Sequence, residues 1–427
     1  MTSLDLLFWI TGGVLLQLAL YGCIVFWRHW QAYRALRNVA AEFDIAVNAE
    51  PEPELMPTAS AAWAGYRTFH VERKVVEDAS AQVCSFYLVP EDKKPLPAFL
   101  PGQFLTFMLD IPSPTGGTHS VIRCYSLSDA PHPSHYRITV KRTPAPLGSP
   151  FPPGQSSNYL HDQVEVGSQL QVRAPAGHFY LEPSDAPVVL IGGGIGITPL
   201  LSMLNGCLTA QPGRELWLFY GVRNRAELVM AAQLQALAAQ HACFHLHLCL
   251  SNPLAYDLDR HRSGPVHTHH SRVDVALLRR LLPLKPYHFY ICGPTPLLQS
   301  LVPALEDWGV PDGRIHFEAF GPASIPRKKP VSATPDTPHG DDNAVEVSFA
   351  RSGRQVPWQP GMGSLLDFAE GHGIAVSSGC RSGACGTCQT RIRTGEVVYT
   401  QAPDFDPEPG SCLLCVCTPK TALTLEV

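Results

Sequence analysis

Three cysteines in a short run, Cys380, Cys385 and Cys388, constrain this chain more than any other feature of its sequence. Their spacing is C-x4-C-x2-C, and Cys412, Cys415 and Cys417 follow close behind. The chain has 427 residues and an odd total of 13 cysteines, which excludes a small disulfide scaffold and favours a metal site in a reducing compartment. Structural zinc usually takes two C-x2-C knuckles, whereas the first gap here is four residues long with small residues inside it. The spacing is that of thiolates holding a two-iron, two-sulfide centre. Gly379, Gly383 and Gly386 add no side chain, so backbone N–H groups can approach the sulfides.

The fourth ligand is Cys415 or Cys417. Alternation along a strand turns both to the same side, so periodicity alone leaves the pair open. Residues 344–427 resemble a plant-type ferredoxin, an α+β (β-grasp) domain, down to a closing strand at Ala422–Val427. In that family the last ligand is followed after three residues by proline. The resemblance therefore implies Cys415, with Pro419 as the proline, and leaves Cys412 and Cys417 as buried thiols.

The rest of the chain is multidomain. With 45% apolar and 16% charged residues it can bury several cores, and a net charge of −5 argues against a nucleic-acid partner. From Leu6 to Trp27 there is no charged residue, and 22 residues of helix span about 33 Å, enough for a hydrocarbon core of about 30 Å. Asp5 stands where a signal peptide carries a cation, and Phe26-Trp27-Arg28-His29-Trp30 is too bulky for a cleavage site. The expectation is an uncleaved transmembrane anchor with its juxtamembrane helix over residues 1–37, in contact with membrane lipid. Trp9, Trp27 and Trp30 suit the interfaces. Arg28, Arg34 and Arg37 place the remainder in the cytoplasm, with the N-terminus outside a bacterial-type inner membrane. A linker is expected at 38–62, where acid and proline alternate, and a second at 322–343, which holds five prolines.

Short alternating runs, Val83–Leu88, Phe104–Leu109 and Tyr136–Val140, predict an antiparallel β-barrel domain over 63–185. From 186 to 321 strands alternate with helices, the order of an α/β parallel sheet. Strands are expected at Val188–Ile191, Leu216–Tyr220, Phe244–Leu250 and His288–Ile291. Helices are expected at Pro199–Leu208, Ala226–Ala239, Val273–Leu282 and Thr295–Trp308.

Arg123-Cys124-Tyr125-Ser126 resembles the R-x-Y-S motif of the ferredoxin-NADP reductase family. The resemblance implies that Arg123 neutralises the flavin diphosphate, that Tyr125 stacks near the isoalloxazine, and that Ser126 bonds its N5 edge, with Leu127 following. A guanidinium fork suits a diphosphate and a phenol face suits a flat heterocycle. Val140-Lys141-Arg142 occupies the place where that family contacts the flavin chain. Gly154-Gln155-Ser156-Ser157-Asn158 matches its G-x-x-S phosphate turn at a helix start; a plain N-cap is the alternative for Ser157. Together these imply FAD.

Gly192-Gly193-Gly194-Ile195-Gly196-Ile197-Thr198-Pro199 follows a strand and permits the tight turn against which a dinucleotide rests. It matches the reductase-family variant Gly-x-Gly-x-x-Pro, which puts Thr198 close to the nicotinamide. Cys292-Gly293-Pro294 recurs at another strand end, and the family places its cysteine beside the nicotinamide. The aromatic of Ile315–Pro322 that approaches the flavin is Phe320. Tyr125, Ser126 and Cys292 are thus the expected catalytic residues. Arg223 and Arg225 follow the second strand, but Leu250-Ser251-Asn252-Pro253 lacks an arginine after the serine, so NADH is expected over NADPH.

His261, His267, His269 and His270 read as a solvated polar loop. Arg279-Arg280 and Lys328-Lys329 read as solvating charge pairs. Residues 63–321 with a ferredoxin domain behind them are similar to the electron-supplying reductases of oxygenases and hydroxylases. The stretch 272–322 is also close to the reductase part of flavohaemoglobins, although no globin domain is present. In the ion-pumping quinone reductase the ferredoxin domain precedes the flavin domain, the reverse of the order here. The expected function is electron transfer from NADH through FAD and a [2Fe–2S] cluster to a membrane-associated redox acceptor, a hydroxylase, oxygenase or desaturase. A quinone-reducing respiratory dehydrogenase and a non-enzymatic redox sensor are the alternatives. The proline-rich linker would let the ferredoxin domain swing between flavin and acceptor.

Overall fold

From Arg67 onward the chain pairs into three main sheets and one of two strands. The computed structural model describes residues 27, 30, 63, 65–113, 116–145, 148, 152–258, 265–320, 344–381, 383, 385–400, 403 and 405–427. The expected anchor lies outside the described residues except for Trp27 and Trp30, which are helical and exposed. Both expected linkers lie outside them too. Among the described residues no helix is long and apolar enough to cross a membrane.

Six antiparallel strands make the first sheet: β1 (Arg67–Val76), β2 (Val83–Pro90), β3 (Phe104–Pro112), β4 (Thr118–Ser126), β5 (Tyr136–Lys141) and β6 (Gln169–Val172). Their order is β4-β3-β6-β1-β2-β5. The end strands approach each other through a bridge between Leu127 and Ile138, so the sheet curls into a barrel. Phe69, Phe86, Phe107 and Tyr136 fill its core. Buried Arg137 stitches the same seam: its Nε donates to Ser128 Oγ at 3.2 Å, and Asp129 stands 3.2 Å from the guanidinium. Helix α1 (Gln155–Asp162) covers one side.

The second sheet is parallel, with order β10-β9-β8-β7-β11-β12. Its strands are β7 (Val188–Gly193), β8 (Leu216–Val222), β9 (Phe244–Leu250), β10 (Val266–His269), β11 (His288–Gly293) and β12 (Ile315–Ala319). Helices α2 (Ile197–Ala210), α3 (Ala231–Gln240), α4 (Val275–Leu281) and α5 (Thr295–Trp308) pack on its faces. The chain runs outward from β7 to β10, then returns to β11 on the other side. The topological switch therefore falls between β7 and β11, where such sheets bind ligands beyond their carboxyl ends.

Two expectations change here. The helix expected from Ala226 begins only at Ala231. Asn224 instead caps a short turn at Arg225–Glu227, and Met230 takes φ 53°. A bond from Met230 N to Glu77 O of the barrel domain holds that left-handed residue, so a tertiary contact overrides helix propensity. The polar histidine loop is likewise corrected. His267 and His269 lie in β10, paired in register with His247 and Cys249 of β9, while His261 lies outside the described residues. Their rings stack on His247, which in turn stacks on Trp217 and Phe219, and His247 Nδ1 lies 2.9 Å from His269 Nε2. Strand pairing converts i, i+2 histidines into one face of the sheet.

The third unit holds β13 (Val345–Phe349), β14 (Arg354–Trp358), α6 (Leu365–Gly371), β15 (Gln389–Thr394), β16 (Val397–Tyr399), β17 (Ser411–Leu413), β18 (Cys417–Pro419) and β19 (Leu423–Leu425). Its main sheet runs β14-β13-β19-β15-β17, with β13 and β19 parallel. Ser364 and Asp367 form a capping box on α6, which packs on the sheet through Leu365, Leu366 and Phe368.

Burial, and then the neighbouring His267, His269 and His245, depress His247 to about 3. As pH falls below about 6.5 the unfolded chain takes up a proton that the native His247 refuses, so stability is lost on acidification. By pH 5 the cost is about 2 kcal/mol. We expect the urea midpoint of the nucleotide domain to fall from pH 7 to pH 5, and to fall less in His247→Phe, measured by Trp217 fluorescence.

Candidate functional site

A cavity of about 660 Å³ is walled by all three folded units. Its barrel wall carries Arg123, Cys124, Tyr125 and Ser126 from β4, then Val140, Lys141 and Arg142 at the end of β5, with Gly154, Ser156 and Ser157 at the start of α1. Ile195, Thr198, Glu318 and Phe320 come from the parallel-sheet domain, and Ser378, Gly379, Cys380 and Arg381 from the third domain.

On the barrel side, Tyr125 is half-buried with its ring edge-on to Phe107 at 5.6 Å, and burial pushes its hydroxyl up, so it stays a neutral phenol. Ser126 is buried beside it. Arg123 is exposed, and its guanidinium donates to Ile122 O at 2.7 Å. The turn into α1 is tightly built. A Cβ on Gly154 would lie 2.8 Å from Thr143 Cβ. Ser157 Oγ accepts from Thr143 N at 3.1 Å and donates to Gly154 O at 3.3 Å. Ser157 is thus inside the helix, tying the turn, and is not the N-cap, which is Gly154. Asn158 spends its amide on Thr143 O and Gly154 O, at 2.9 and 2.7 Å, and Arg142 is clamped by Asp162 and Asn158. Leu127 points into the barrel core. Ser156 stands out by no motif of its own in the sequence. Its buried Oγ lines the cavity at the helix start with no hydrogen-bond partner among the described residues. A donor left open at a helix N-terminus, with Arg123 on the same wall, fits a diphosphate.

On the sheet side, strand ends pack too closely for any side chain. A Cβ on Gly196 would lie 2.3 Å from Cys292 O, and one on Gly193 2.7 Å from Pro294 Cδ. Gly194 has φ 54°, and Gly293 lies against Gly193. Thr198 is buried and donates to Ile195 O at 3.1 Å, and Pro199 sits inside α2. Cys292 is fully buried behind this turn and does not line this cavity. Its register partner on β12, Glu318, does line the cavity. Burial first, and then Cys380, push the Glu318 carboxyl up to about 8, and its Oε2 has no hydrogen-bond partner among the described residues. Burial thus favours its neutral form. Arg223, expected to contact nucleotide, donates instead to Glu227 at 2.7 Å.

Four thiols converge in the third domain. Cys388 Sγ lies 3.2 Å from Cys415 Sγ, and contacts with Cys380 and then Cys388 push the Cys415 thiol up. Cys380 N donates to Cys385 Sγ at 3.2 Å, and Cys385 N to Cys380 Sγ at 3.3 Å. Cys417 faces Cys412 instead. The expected strand alternation fails because Cys415 sits in a 3-10 turn, Leu414–Val416, ahead of β18. Arg381, Gly383 and Gly386 take φ values of 57°, 77° and 72°. A Cβ on Gly379 would come within 2.9 Å of Cys385 Sγ, and one on Gly386 within 2.6 Å of the Phe405 ring. Four thiols and a loop without room for side chains fit a [2Fe–2S] cluster. A fifth thiol, Cys124 of β4, touches Cys380 and Cys385 from across the domain boundary, and these contacts push it well up. Nothing in the sequence pairs it with the cluster loop.

Arg173, just after β6, makes the dock. Its guanidinium donates to Cys385 O at 3.1 Å and lies over the rings of Tyr66 and Phe405 at 5.0 and 5.1 Å.

Residues 70–180 match an oxidoreductase FAD-binding domain, 190–302 an oxidoreductase NAD-binding domain, and 347–420 a 2Fe-2S iron-sulfur cluster binding domain. A flavohemoprotein of Halalkalibacterium halodurans is 38% identical over 294 residues, 69% of this chain and 69% of that protein. The chain belongs to the ferredoxin-NADP reductase-like oxidoreductases. The flavohem-like FAD/NAD binding domain of nitric oxide dioxygenase from Vibrio cholerae superposes with TM-score 0.52 and 33% identity, over 60% of this chain and all of that one. An intact type IV self-sufficient cytochrome P450 monooxygenase shares the fold over 85% of this chain and 41% of its own, at TM-score 0.52 and 23% identity. This member of the family is an oxidoreductase with FAD, NAD and 2Fe-2S domains in one chain.

The ligand set has a direct check. Cys415→Ser should abolish the iron–sulfur absorbance while flavin content is kept, whereas Cys417→Ser should keep both. A normal cluster in Cys415→Ser overturns this assignment.

Proposed function

We propose that this electron-transfer reductase uses NADH to supply single electrons to an oxygenase, hydroxylase or desaturase at a membrane. The observation that carries this reading is the shared cavity. The flavin wall, the nicotinamide wall and the cluster loop bound one space, with Cys380 at its edge. When bound, FAD would accept two electrons at a time as a single hydride, and the cluster would handle electrons one at a time, at about −400 mV for plant-type centres.

The chain's own residues position and screen these groups. Arg123, Ser156 and the start of α1 receive the diphosphate. The Gly193–Gly196 turn lies flat because its strand ends admit no Cβ, and Thr198 limits the nicotinamide's approach. Tyr125 and Phe320 line the cavity from the barrel and from the parallel-sheet domain, and burial favours the neutral form of Glu318 between them and the cluster loop. Arg173 holds the cluster loop against the barrel, which favours transfer within the docked form; a swinging ferredoxin domain then requires this dock to open.

Coenzyme choice follows from paired charges. Arg223 is held by Glu227, and Arg225 by Asp257 and Thr268 Oγ1, at 3.6 and 2.9 Å. Acids already offset the cations that a 2′-phosphate needs, which favours NADH. The apolar run Leu6–Trp27 is proposed as the anchor, with the catalytic domains on the cytoplasmic side of a bacterial-type inner membrane.

Two measurements test this. In stopped-flow spectroscopy, Arg173→Glu should slow cluster reduction at least tenfold while flavin reduction by NADH stays unchanged; equal rates would remove the dock from the mechanism. Deletion of residues 1–37 should release the protein from membranes at alkaline pH and preserve NADH–ferricyanide activity. Rapid quinone reduction by the full chain in lipid, without a protein partner, would favour the respiratory dehydrogenase instead.

A further inference from the structure

Away from the cavity, at the amino ends of β11 and β12, two histidines and a glutamate meet. His288 opens β11, and His316 lies in β12 beside Tyr290. His288 Nδ1 is 3.2 Å from His316 Nε2, and Glu182 Oε2 is 3.8 Å from His288 Nδ1. One ligand atom from each of the three residues falls within 4.8 Å of the others. Glu182 comes from the connector between the barrel and the parallel sheet.

The connector is held before any ion arrives. Glu182 N donates to the Tyr290 hydroxyl at 3.0 Å. Buried Arg214 donates to Glu182 O at 3.3 Å, to Ser184 Oγ at 3.0 Å and to Ala186 O at 2.7 Å. Both main-chain groups of Glu182 are thus fixed, and its carboxylate faces the imidazoles. The His316 ring is in turn oriented by stacking on Tyr290 at 4.5 Å, with an interplanar angle of 11°. Oriented ligands with supporting contacts are what metal sites need.

The distances suit one ion. Tetrahedral ligands bound at about 2.0–2.1 Å stand roughly 3.3 Å apart. The imidazole pair already meets that separation, and the carboxylate, 3.8 Å from His288 Nδ1 and within 4.8 Å of both imidazoles, must close on them by rotation of a half-exposed side chain. Side-chain exposures of 12% and 20% for the histidines against 43% for Glu182 leave an approach on the carboxylate side. Arg214 and Arg314 also face His288, and burial first, then His316 and these cations, depress it to about 4. Burial does the same for His316. Neutral imidazoles offer the lone pairs that an ion requires.

We propose that Glu182, His288 and His316 bind one divalent transition-metal ion of the zinc type, distinct from the iron–sulfur cluster. The ion staples the barrel-to-sheet connector to β11 and β12. Two imidazoles and a carboxylate form a hard-to-borderline donor set, which suits zinc or cobalt and leaves a fourth position for water. The staple sits at the opposite end of the strands from the nicotinamide turn, so its role is to hold the two domains in register.

The test uses full-length, tag-free protein loaded with flavin and cluster, freed of loose ions by a weak chelator and then titrated with cobalt(II) alone. The expected result is one saturable equivalent giving visible d–d bands without thiolate charge-transfer absorption, displaced by zinc. Glu182→Gln and His316→Gln should each weaken binding at least tenfold, with flavin content, iron content and NADH–ferricyanide activity unchanged. Zinc should raise the thermal midpoint of the parent protein and of neither variant. Absence of saturable binding by the parent protein overturns the proposal, as do thiolate charge-transfer bands or undiminished binding by both variants.

Discussion

The contact between Arg173 and the cluster loop is the interaction on which the functional geometry rests. A guanidinium between two aromatic rings, donating to the backbone of a cluster-loop cysteine, joins barrel and ferredoxin domain at the point where their chemistries meet. Without that dock the cavity loses its third wall. With it, the loop bearing Cys380 faces the strand bearing Arg123 and Tyr125, and Cys124 reaches across to the cluster thiols. Short separation is the main thing a protein supplies to electron transfer between bound cofactors, and Arg173 with its two rings holds the cluster loop against the barrel.

Absence of side chains matters as much as their presence. The β7–α2 turn and the cluster loop are both places where backbone meets backbone or sulfur at distances that no Cβ tolerates. Gly196 against Cys292 O and Gly379 against Cys385 Sγ are the same device applied to different ligands. The first clears a surface for a dinucleotide, and the second clears a pocket for sulfides. Such positions are visible as glycines in the sequence, but their partners lie far along the chain and cannot be inferred from spacing.

Much of the fold was legible because its signals are local. Alternation marked the barrel strands, strand–helix order marked the parallel sheet, and C-x4-C-x2-C marked the cluster. Expectations failed where a contact from another element intervened. Met230 was drawn out of a helix by Glu77 O, and His267 and His269 were recruited into a sheet by β9. The site shows the same division. The Arg123–Ser126 motif, the Gly154 turn and Thr198 reach the cavity, whereas Leu127 is withdrawn into a core, Asn158 into a turn, and Cys292 behind Gly196.

The sequence by itself determined which cofactors this chain is built to hold. Thiolate spacing, glycine-rich turns and a strand carrying arginine, tyrosine and serine are chemical requirements satisfied within a few residues of chain. Only the tertiary structure decided which side chains stand in the shared cavity. It brought in Ser156 and Glu318, docked Arg173 and Cys124 against the cluster loop, and gathered Glu182, His288 and His316 at the far end of the sheet. Those groups are separated by tens to hundreds of residues, and burial and pairing act through space, so no local pattern encodes them.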